Sequence, residues 1–463
     1  MKPISLKADY KGKFPDKRLD KRAAQIATML TLGRTSSIHA ISHSEADQRA
    51  CYRFLGNENV EEDTLIEAET QRCQAVVGVR DVIIIQDTTL FDFSSHKTSL
   101  ADTSGIGPVG NHGGIGFMGH LSLVLDGNEG VLLGLSDIQL WHREGEVAGR
   151  NNKAYKKVPI ADKESGKWLK ACETSKQLLK QATSLIFVED REGDIYEQFA
   201  TIPDRRTHLI IRSRENRRLK NGEKLHEAIS KKAIAGSYNI RIVKDLRKKT
   251  ETRTAKLDIR FGEVEISRPN YMHYKHLAEH LKVYVVDARE TGGSITKPIR
   301  WTILTTKSVE NYEDALEIIE KYKQRWFIEQ LFRLLKQRGF RIEESQLENG
   351  WAIRKLTVMI MNAAVRVLQM LLAYGSEKEQ DINIVFTKEE QQCLAAVNKK
   401  METTVLINPY KKETVKYAVW IIARLAGWKD NNKARPPGPI TLKRGIDKFT
   451  SIFEGWQMAK DVS

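Results

Sequence analysis

At 463 residues the chain exceeds the size that one hydrophobic core commonly supports, so we expect two or three domains. Hydrophobic residues make up 41% and charged residues 29% of the sequence, which is typical of a soluble globular protein. The chain carries 75 Lys and Arg against 60 Asp and Glu, a formal net charge of +15. That surplus indicates a polyanionic partner, although charge alone does not distinguish DNA from RNA or from an acidic membrane.

The sequence shows none of the patterns of a secreted, zinc-binding or membrane-spanning protein. Met1 to Lys7 contains no apolar signal core, and the four cysteines, at positions 51, 73, 172 and 393, form no CxxC pair. We therefore expect buried free thiols in a reducing cytoplasm. The most apolar stretch, Leu356 to Ala373, is interrupted by Asn362, Arg366 and Gln369, which predicts a buried helix instead of a membrane span.

The N-terminal 75 residues predict helices, because no strand-like alternation occurs there. Charged side chains crowd the segment from Asp16 to Arg22, which leads into an apolar run at residues 26–30. A basic helix at the start of a basic protein is typical of a DNA-binding module, and also of a solvated helix face. We interpret residues 1–75 as a helical N-terminal DNA-binding domain.

The pattern changes at residue 81. The β-branched run Val82 to Ile85 predicts a short buried strand that ends at residues 86–89. Residues 121–125 and 131–140 predict a hairpin, joined by the turn sequence Asp126-Gly127-Asn128-Glu129-Gly130. A helix at about residues 166–181 follows, and then a second buried strand, Leu185 to Val188, which ends at Glu189 and Asp190.

Strands continue to about residue 305 and are followed by helices. Leu209 to Ile211 predicts a strand, residues 213–300 are basic and strand-like, and Trp301 to Thr305 predicts a strand that re-enters the core. Asn311 can cap a long helix that runs to Gly339. Residues 351–463 are helical, with a break at residues 436–439. The mixture of hairpins and crossovers predicts an α/β core with a mixed sheet over residues 76–350, flanked by helical domains.

Two aspartates follow predicted strands. Reactive groups commonly emerge at the strand ends of α/β sheets, and Asp87 and Asp190 stand at such ends. An aspartate in that place is also a common helix cap or turn residue. Glu192 and Asp194 could add a further carboxylate, or belong to a helical turn.

A third acid lies on the long helix. One stripe of that helix, within an arc of about 60° for an ideal geometry, combines an acid with two cations and a phenol. Its members are Tyr322, Arg325, Glu329 and Lys336. An ordinary Arg–Glu pair on a solvated surface would give the same spacing. Phosphoryl transfer gives such groups a use, because two hard cations about 4 Å apart share carboxylate ligands and basic side chains neutralise phosphates.

The three acids and the stripe match a known pattern. Asp87, Asp190 and Glu329, with the spacing Tyr-x2-Arg-x3-Glu-x6-Lys, resemble the D-D-E triad and Y-R-E-K signature of bacterial cut-and-paste transposases of the insertion-sequence-four family. The likeness covers nearly the whole chain in consistent order. Supporting blocks are residues 51–55 (CYRFL), 164–169 (ESGKWL), 190–195 (DREGDI) and 422–427 (IARLAG).

The resemblance implies a ribonuclease-H-like catalytic core with a β-rich insertion, and two divalent ions, Mg²⁺ with Mn²⁺ as a substitute, held by Asp87, Asp190 and Glu329. It also implies strand nicking by water, hairpin formation by the freed 3′-hydroxyl, hairpin opening, and strand transfer into double-stranded target DNA by a synaptic homodimer. We expect residues 351–463 to mediate dimerisation. The tail stops soon after residues 453–456, so the last helix is expected to be short.

The resemblance assigns further residues to DNA. Those that would grip phosphates near the cleaved end are Tyr322, Arg325 and Lys336. Trp301 resembles an aromatic residue associated with the base that flips out during hairpin formation, although a tryptophan in a core strand is also common. Arg212 and Arg214 resemble basic positions that approach DNA.

Other interpretations stay open at this point. A transposase-derived repressor would bind transposon ends without cutting, another metal nuclease would cut without joining, and an RNA-binding structural protein would not depend on the three acids. Gly105 to Gly110 spells G-x-G-x-x-G, but it follows a polar stretch and contains Pro108, so we do not expect dinucleotide binding.

Overall fold

The structure is a computed structural model that describes residues 10–32, 36–42, 44–109, 113–144, 158–242, 253–270, 272, 276–292, 298–404, 406–429 and 436–462. The chain divides into two compact units. The sheet unit comprises residues 79–87 and 149–327, and the helix-rich unit comprises residues 1–78, 88–148 and 328–463.

The sheet unit contains a β-sheet of parallel and antiparallel strands. Its strands are β1 (Asp81–Asp92, of which residues 81–87 lie in this unit), β5 (Ser184–Glu189), β6 (Thr207–Arg212), β7 (Gly236–Ile242), β8 (Arg253–Ser267), β9 (His280–Glu290) and β10 (Arg300–Thr305). The order across the sheet is β1-β5-β6-β10-β9-β8-β7, with β1, β5 and β6 parallel and the others antiparallel. The parallel strands share apolar, buried central runs at residues 82–85, 185–188 and 209–211, as expected for strands covered on both faces.

The α-helices described in the sheet unit range from 6 to 13 residues. They are α5 (Gly166–Leu178), α6 (Tyr196–Thr201), α7 (Leu225–Ser230) and α8 (Tyr312–Lys323). The predicted cap of the long helix is confirmed, since the side chain of Asn311 accepts a 2.9 Å hydrogen bond from the backbone N–H of Asp314. The long strands β8 and β9 account for the predicted β-rich character of residues 213–300.

The helix-rich unit combines helices from both ends of the chain with a small antiparallel sheet. Its N-terminal helices are α1 (Lys17–Leu32), α2 (Ile38–Ile41), α3 (Glu45–Leu55) and α4 (Glu62–Val77). Its strands are β2 (Gly107–Val109), β3 (Gly114–Asp126) and β4 (Leu132–Trp141). Its C-terminal helices are α9 (Trp326–Arg333, of which residues 328–333 lie in this unit), α10 (Gly350–Gly375), α11 (Lys388–Met401), α12 (Val415–Leu425) and α13 (Pro439–Val462).

The predicted hairpin of this unit is confirmed. Strands β3 and β4 pair antiparallel, and the carboxylate of Asp126 accepts hydrogen bonds of 2.9 Å from the backbone N–H groups of Asn128 and Glu129. Gly130 takes a positive φ of 66°, which a glycine adopts without steric cost. The turn chemistry read from the sequence therefore fixes the loop.

Helix α10 is the core helix of the helix-rich unit. Among the described residues it alone is long and apolar enough to cross a membrane, but 83% of its most apolar 18-residue window is buried inside the protein. Its polar members have buried partners: Asn362 donates to Glu69 and Gln369 donates to the carbonyl of Leu132. The prediction of a buried helix at residues 356–373 is thus confirmed. All four cysteines are likewise buried and free, as predicted.

Strand β1 runs further than the sequence indicates. The polar residues 86–89 predict a strand end, but β1 continues to Asp92, so Asp87 lies within a strand. Residues beyond Asp87 stay extended because they pair with β3, where Phe93 donates a 2.8 Å hydrogen bond to the carbonyl of Ile115. Local sequence does not encode that pairing.

The predicted long helix is interrupted. Helix α8 ends at Lys323, α9 begins at Trp326, and residues 334–338 form a π-helical turn. At the break the hydrogen bonds switch to the i→i−3 pattern, as from the N–H of Arg325 to the carbonyl of Tyr322 at 3.1 Å. No Gly or Pro occurs at residues 322–327, so the break has no local sequence signal. The 60° arc presupposed a continuous ideal helix and does not apply.

The last helix is longer than expected. Helix α13 extends over 24 residues, and it begins at Pro439. Proline is favoured at the first helical position because its missing N–H would have no partner there. The predicted break is confirmed at residues 436–438, which precede this helix, whereas the expectation of a short final helix is wrong.

Candidate active site

Two predicted carboxylates follow the paired part of two adjacent strands in the sheet unit. Strands β1 and β5 pair parallel up to Ile85 opposite Val188, and Asp87 and Asp190 each lie two residues further along the chain. Neighbouring strands lie about 4.8 Å apart. Asp190 follows the last residue of β5, as predicted, and its side chain accepts a 2.7 Å hydrogen bond from the N–H of Arg191. The register, which sequence alone does not give, thus places each acid two residues beyond the same strand pair.

Arg325 reaches the first of these acids. Its guanidinium donates a 3.1 Å hydrogen bond to a carboxylate oxygen of Asp87, and the two side chains are 16% and 24% exposed. This is a part-buried, charge-assisted pair, which is stronger than a solvated surface pair. Arg325 occupies the break between α8 and α9, so the irregular turn is the element that presents its side chain.

Tyr322 forms the centre of an aromatic and cationic group. Its ring meets the ring of Trp301 edge to face, with centroids 5.8 Å apart. Burial raises the pKa of the Tyr322 phenol, the negative charge of Asp190 raises it further, and Arg325 and Arg212 oppose both. These influences show that Asp190, Arg212 and Arg325 all lie within electrostatic reach of the phenol. The structure therefore gathers most of the predicted residues of the sheet unit around Tyr322.

The two predicted basic positions differ. Arg212 donates a 3.1 Å hydrogen bond to the carbonyl of Arg300 and lies near the phenol of Tyr322. The side chain of Arg214 is 65% exposed and pairs only loosely, at 3.4 Å, with the exposed Glu215. Arg212 is thus held beside the aromatic pair, whereas Arg214 is available to solvent.

Asp194 has a structural role. Its buried carboxylate accepts hydrogen bonds from the guanidinium of Arg217, with Nε at 2.9 Å, and from the backbone N–H of Arg214 at 2.7 Å. Its partners inside the protein leave it no open coordination position. Glu192 is 69% exposed and lies 3.7 Å from Lys167. The structure therefore gives no support to Glu192 or Asp194 as a further carboxylate beside Asp87 and Asp190.

A group of buried polar side chains, which the sequence did not reveal, includes the residues just before Asp87 and Asp190. Its members are Gln86, Cys172, Glu189 and Gln198. Burial raises the pKa of Glu189 to about 8, against the opposing hydrogen bonds from Gln198 and Cys172. Gln86, next to Asp87, contacts the same Cys172 sulfur at 3.5 Å. The group thus links the residues that precede both acids. Its sequence signal is a carboxylate and an amide that directly extend apolar strands.

Two predicted residues belong to the helix-rich unit. Glu329 lies in the first turn of α9 and is half-buried. Lys336 lies in the π-helical turn, with its ammonium 3.6 Å from the carboxylate of Glu343 and 5.6 Å from the ring centroid of Phe91. Burial lowers the pKa of Lys336, and the charges of Glu343 and Asp92 oppose that effect.

The donors of the sheet unit fit a hard divalent cation in part. Asp87 and Asp190 offer carboxylate oxygens from adjacent strands, which are the ligands that Mg²⁺ prefers. Within the described ranges, no group of three or more His, Cys, Asp or Glu side chains is placed to hold a metal ion. Water and substrate phosphates commonly complete a Mg²⁺ shell that one or two carboxylates begin. The pair therefore fits the ion as a partial ligand set.

Comparison with known families matches two stretches of the chain. Residues 11–60 match the transposase DNA-binding family, and residues 170–366 match the transposase DDE domain. Both matches are to domains found in DDE transposases, which supports membership of that family. A DDE domain is ribonuclease-H-like and implies a divalent-metal enzyme that acts on DNA. The match to it includes Asp190 and Glu329 but begins after Asp87, so the role of Asp87 depends on the strand register and on the sequence motif.

The glycine-rich segment and the histidines have structural explanations. Gly105 packs against the ring of Trp351, and its carbonyl accepts a 3.2 Å hydrogen bond from Arg354. Residues 107–109 of the same segment form β2 and not the start of a helix. His120 is buried beside the hydroxyl of Thr88, at 2.9 Å. His112 lies outside the described residues.

Proposed function

We propose that the protein performs cut-and-paste DNA transposition as a member of the insertion-sequence-four family. The observation that carries the proposal is the basic and phenolic group around the two acids that follow paired strands: Arg325 is hydrogen-bonded to Asp87, and the phenol of Tyr322 lies within electrostatic reach of Asp190. The transposase DNA-binding and DDE domains support it, and the net charge of +15 suits a DNA partner.

The three acids and the Tyr, Arg and Lys of the motif each have a proposed role in phosphoryl transfer. Asp87, Asp190 and Glu329 would hold two divalent ions, Mg²⁺ with Mn²⁺ as a substitute, and such ions supply Lewis acidity and a nucleophilic hydroxide at neutral pH. The assignment of Glu329 depends on the motif and on its position four residues after Arg325. Arg325 and Lys336 bind non-bridging phosphate oxygens and offset the negative charge that grows on them. Tyr322 donates a hydrogen bond from its phenolic O–H to a phosphate oxygen, and its raised pKa keeps that O–H protonated.

The reaction proceeds through four exchanges at phosphorus. Water attacks the phosphodiester at the transposon end, the bond from phosphorus to the 3′-oxygen breaks, and that oxygen leaves as a 3′-hydroxyl. The hydroxyl attacks the opposite strand and forms a hairpin, with a second 3′-hydroxyl as leaving group. Water opens the hairpin, and the restored 3′-hydroxyl attacks target DNA. Each exchange makes one P–O bond and breaks one, so no oxidant or energy cofactor is required.

Base flipping assists the hairpin step. Trp301 presents a half-buried ring beside Tyr322 at the start of β10, where an unpaired base could stack. Arg212 and Arg214 lie on and just after β6, the strand next to β10, and would contact the DNA backbone. We further propose that the protein acts in the bacterial cytoplasm as a homodimer on paired ends, with residues 351–463 in the dimer contact.

A gel assay in Mg²⁺ tests the proposal. Purified wild type and the Glu329→Ala variant are incubated with the end DNA of the element, and the strands are resolved under denaturing conditions. We expect nicks, hairpins and joined strands with wild type, and binding alone with the variant. If both proteins bind and neither cuts, even in Mn²⁺, the chain is a DNA-binding repressor derived from a transposase and the proposal is wrong.

A further inference from the structure

Lys336 has an acidic neighbour that the motif does not contain. In the helix-rich unit, residues 342–344 form a short 3₁₀ turn after the π-helical turn that carries Lys336. Glu343, in the middle of this turn, lies with Oε1 at 3.6 Å from the ammonium of Lys336. Both side chains are mostly withdrawn from water, at 27% and 21% exposure.

The same carboxylate oxygen is anchored to β1. The backbone N–H of Asp92 donates a 3.0 Å hydrogen bond to Oε1 of Glu343. Asp92 follows Phe91, whose fully buried ring lies 5.6 Å from the Lys336 ammonium. Glu343 therefore has a fixed place, and the ammonium of Lys336 is held between a carboxylate and an aromatic face.

A lysine side chain needs neighbouring contacts to keep its ammonium in one position. Its four-carbon stem and single point charge make it flexible, unlike the planar fork of an arginine. The structure shows no other ion pair of Lys336 among the described residues. Without Glu343 the ammonium would keep its burial penalty and lose its nearest opposite charge.

We propose that Glu343 is a positioning residue for Lys336: its carboxylate, fixed by the N–H of Asp92, holds the ammonium where it meets a DNA phosphate. The proposal rests on the phosphate-binding role that the proposed function gives to Lys336. Glu343 itself does not touch the DNA. Its effect on the reaction passes through Lys336 alone.

The Glu343→Gln variant isolates the charge. A glutamine keeps the size of the side chain and an oxygen that accepts from Asp92, but it loses the negative charge beside Lys336. Glu344→Gln is the matched control, because the next residue is an exposed acid paired at 3.2 Å with the exposed Arg341. Surface pairs of that kind contribute little to stability.

Single-turnover cleavage of end DNA in Mg²⁺ gives the first result. We expect Glu343→Gln to lower the cleavage rate about ten-fold, because loss of a supporting contact commonly costs 10- to 100-fold. The Kd for end DNA should hardly change, since many phosphate contacts share the binding energy. Glu344→Gln should cleave at the wild-type rate. A wild-type rate for Glu343→Gln would overturn the proposal.

A double-mutant cycle with Lys336→Met separates positioning from general damage. If Glu343 acts through Lys336, Glu343→Gln has no further effect on cleavage once Lys336 is methionine. An equal loss in both backgrounds would show that Glu343 acts by another route, and would overturn the proposal. Thermal unfolding of all variants accompanies the cycle and identifies a folding defect.

The protonation of Lys336 gives a test that needs no DNA cleavage. The negative charge of Glu343 is the first influence that opposes the lowering of the Lys336 pKa by burial. Labelling of Lys336 by an amine reagent at a series of pH values, read by peptide mass, should therefore show a lower pKa in Glu343→Gln and no change in Glu344→Gln. If the pKa of Lys336 is the same in Glu343→Gln as in wild type, Glu343 does not act on the ammonium and the proposal is wrong. If wild type does not cleave end DNA while Glu343→Gln still lowers the pKa of Lys336, the contact stands and the proposed function is wrong.

Discussion

The guanidinium of Arg325 donates a 3.1 Å hydrogen bond to the carboxylate of Asp87, although 238 residues separate the two in the chain. The bond joins a strand of the sheet to the turn between α8 and α9. Under the proposed function, a divalent ion would bind the same carboxylate. The guanidinium and the ion would then compete for Asp87, and metal binding would free the guanidinium for a phosphate.

Replacement of Arg325 should separate metal binding from cleavage. In Arg325→Gln we expect Mn²⁺ to bind the DNA-free protein more tightly, since Asp87 loses its competing cation, as measured by titration calorimetry. Cleavage of end DNA should fall about 10- to 100-fold, because a hydrogen bond to a charged group contributes about 1.5–3 kcal/mol. Arg325→Lys, which keeps the charge without the fork, should lie between. Tighter Mn²⁺ binding with wild-type cleavage would contradict the phosphate role.

Two aspartates four residues apart should respond in opposite ways. Asp190→Asn should abolish cleavage with little change in stability, because an asparagine still caps the turn at Arg191. Asp194→Asn should lower the free energy of unfolding by about 3–5 kcal/mol, since it breaks a buried pair with Arg217. Denaturant unfolding and the cleavage assay are run on both variants. The assignments are wrong if Asp190→Asn unfolds the protein while Asp194→Asn leaves it as stable as wild type.

Much of the fold could be predicted because local signals were strong. The apolar runs before Asp87 and Asp190, the turn at residues 126–130 and the cap at Asn311 each specify an element within a few residues. Where pairing with a distant segment decides the structure, prediction failed. The continuation of β1 to Asp92 depends on β3, and a local reading of residues 86–89 ended the strand too early.

The candidate site was predicted as a list of residues and not as a geometry. The pairing of β1 with β5, two residues before Asp87 and Asp190, is a long-range property, and so is the break that presents Arg325. Glu189 and Glu343 were missed because their roles arise from burial and from contacts across the chain. A single sequence shows such acids only as charges next to apolar runs.

Glu189 should give the protein an unusual dependence of stability on pH. Burial raises its pKa from 4.5 to about 8, so between these values the folded state holds a proton that the unfolded state has released. Its contribution to stability is complete below pH 4.5 and is lost as the pH rises through 8. In Glu189→Gln this loss disappears, and the variant should be more stable than wild type near pH 8.

Thermal unfolding from pH 5 to 9 checks this expectation, with Glu192→Gln as the control. Glu192 is 69% exposed, so its replacement should leave the pH profile as in wild type. The raised pKa of Glu189 has no thermodynamic effect if Glu189→Gln and wild type lose stability in parallel over that range.

Trp301 offers a test of base stacking that is separate from strand nicking. Its ring lies edge to face with Tyr322, at 5.8 Å, in a half-buried place beside the acids. Stacking of a base on an aromatic ring contributes about 1–3 kcal/mol, so Trp301→Leu should reduce hairpin formation about ten-fold or more while the first nick continues. Trp301→Phe, which keeps an aromatic face of smaller area, should recover most of the hairpin product. Denaturing gels of end-labelled DNA distinguish nicked from hairpin strands. If leucine and phenylalanine support hairpin formation equally well, Trp301 fills space in the core and stacks on no base.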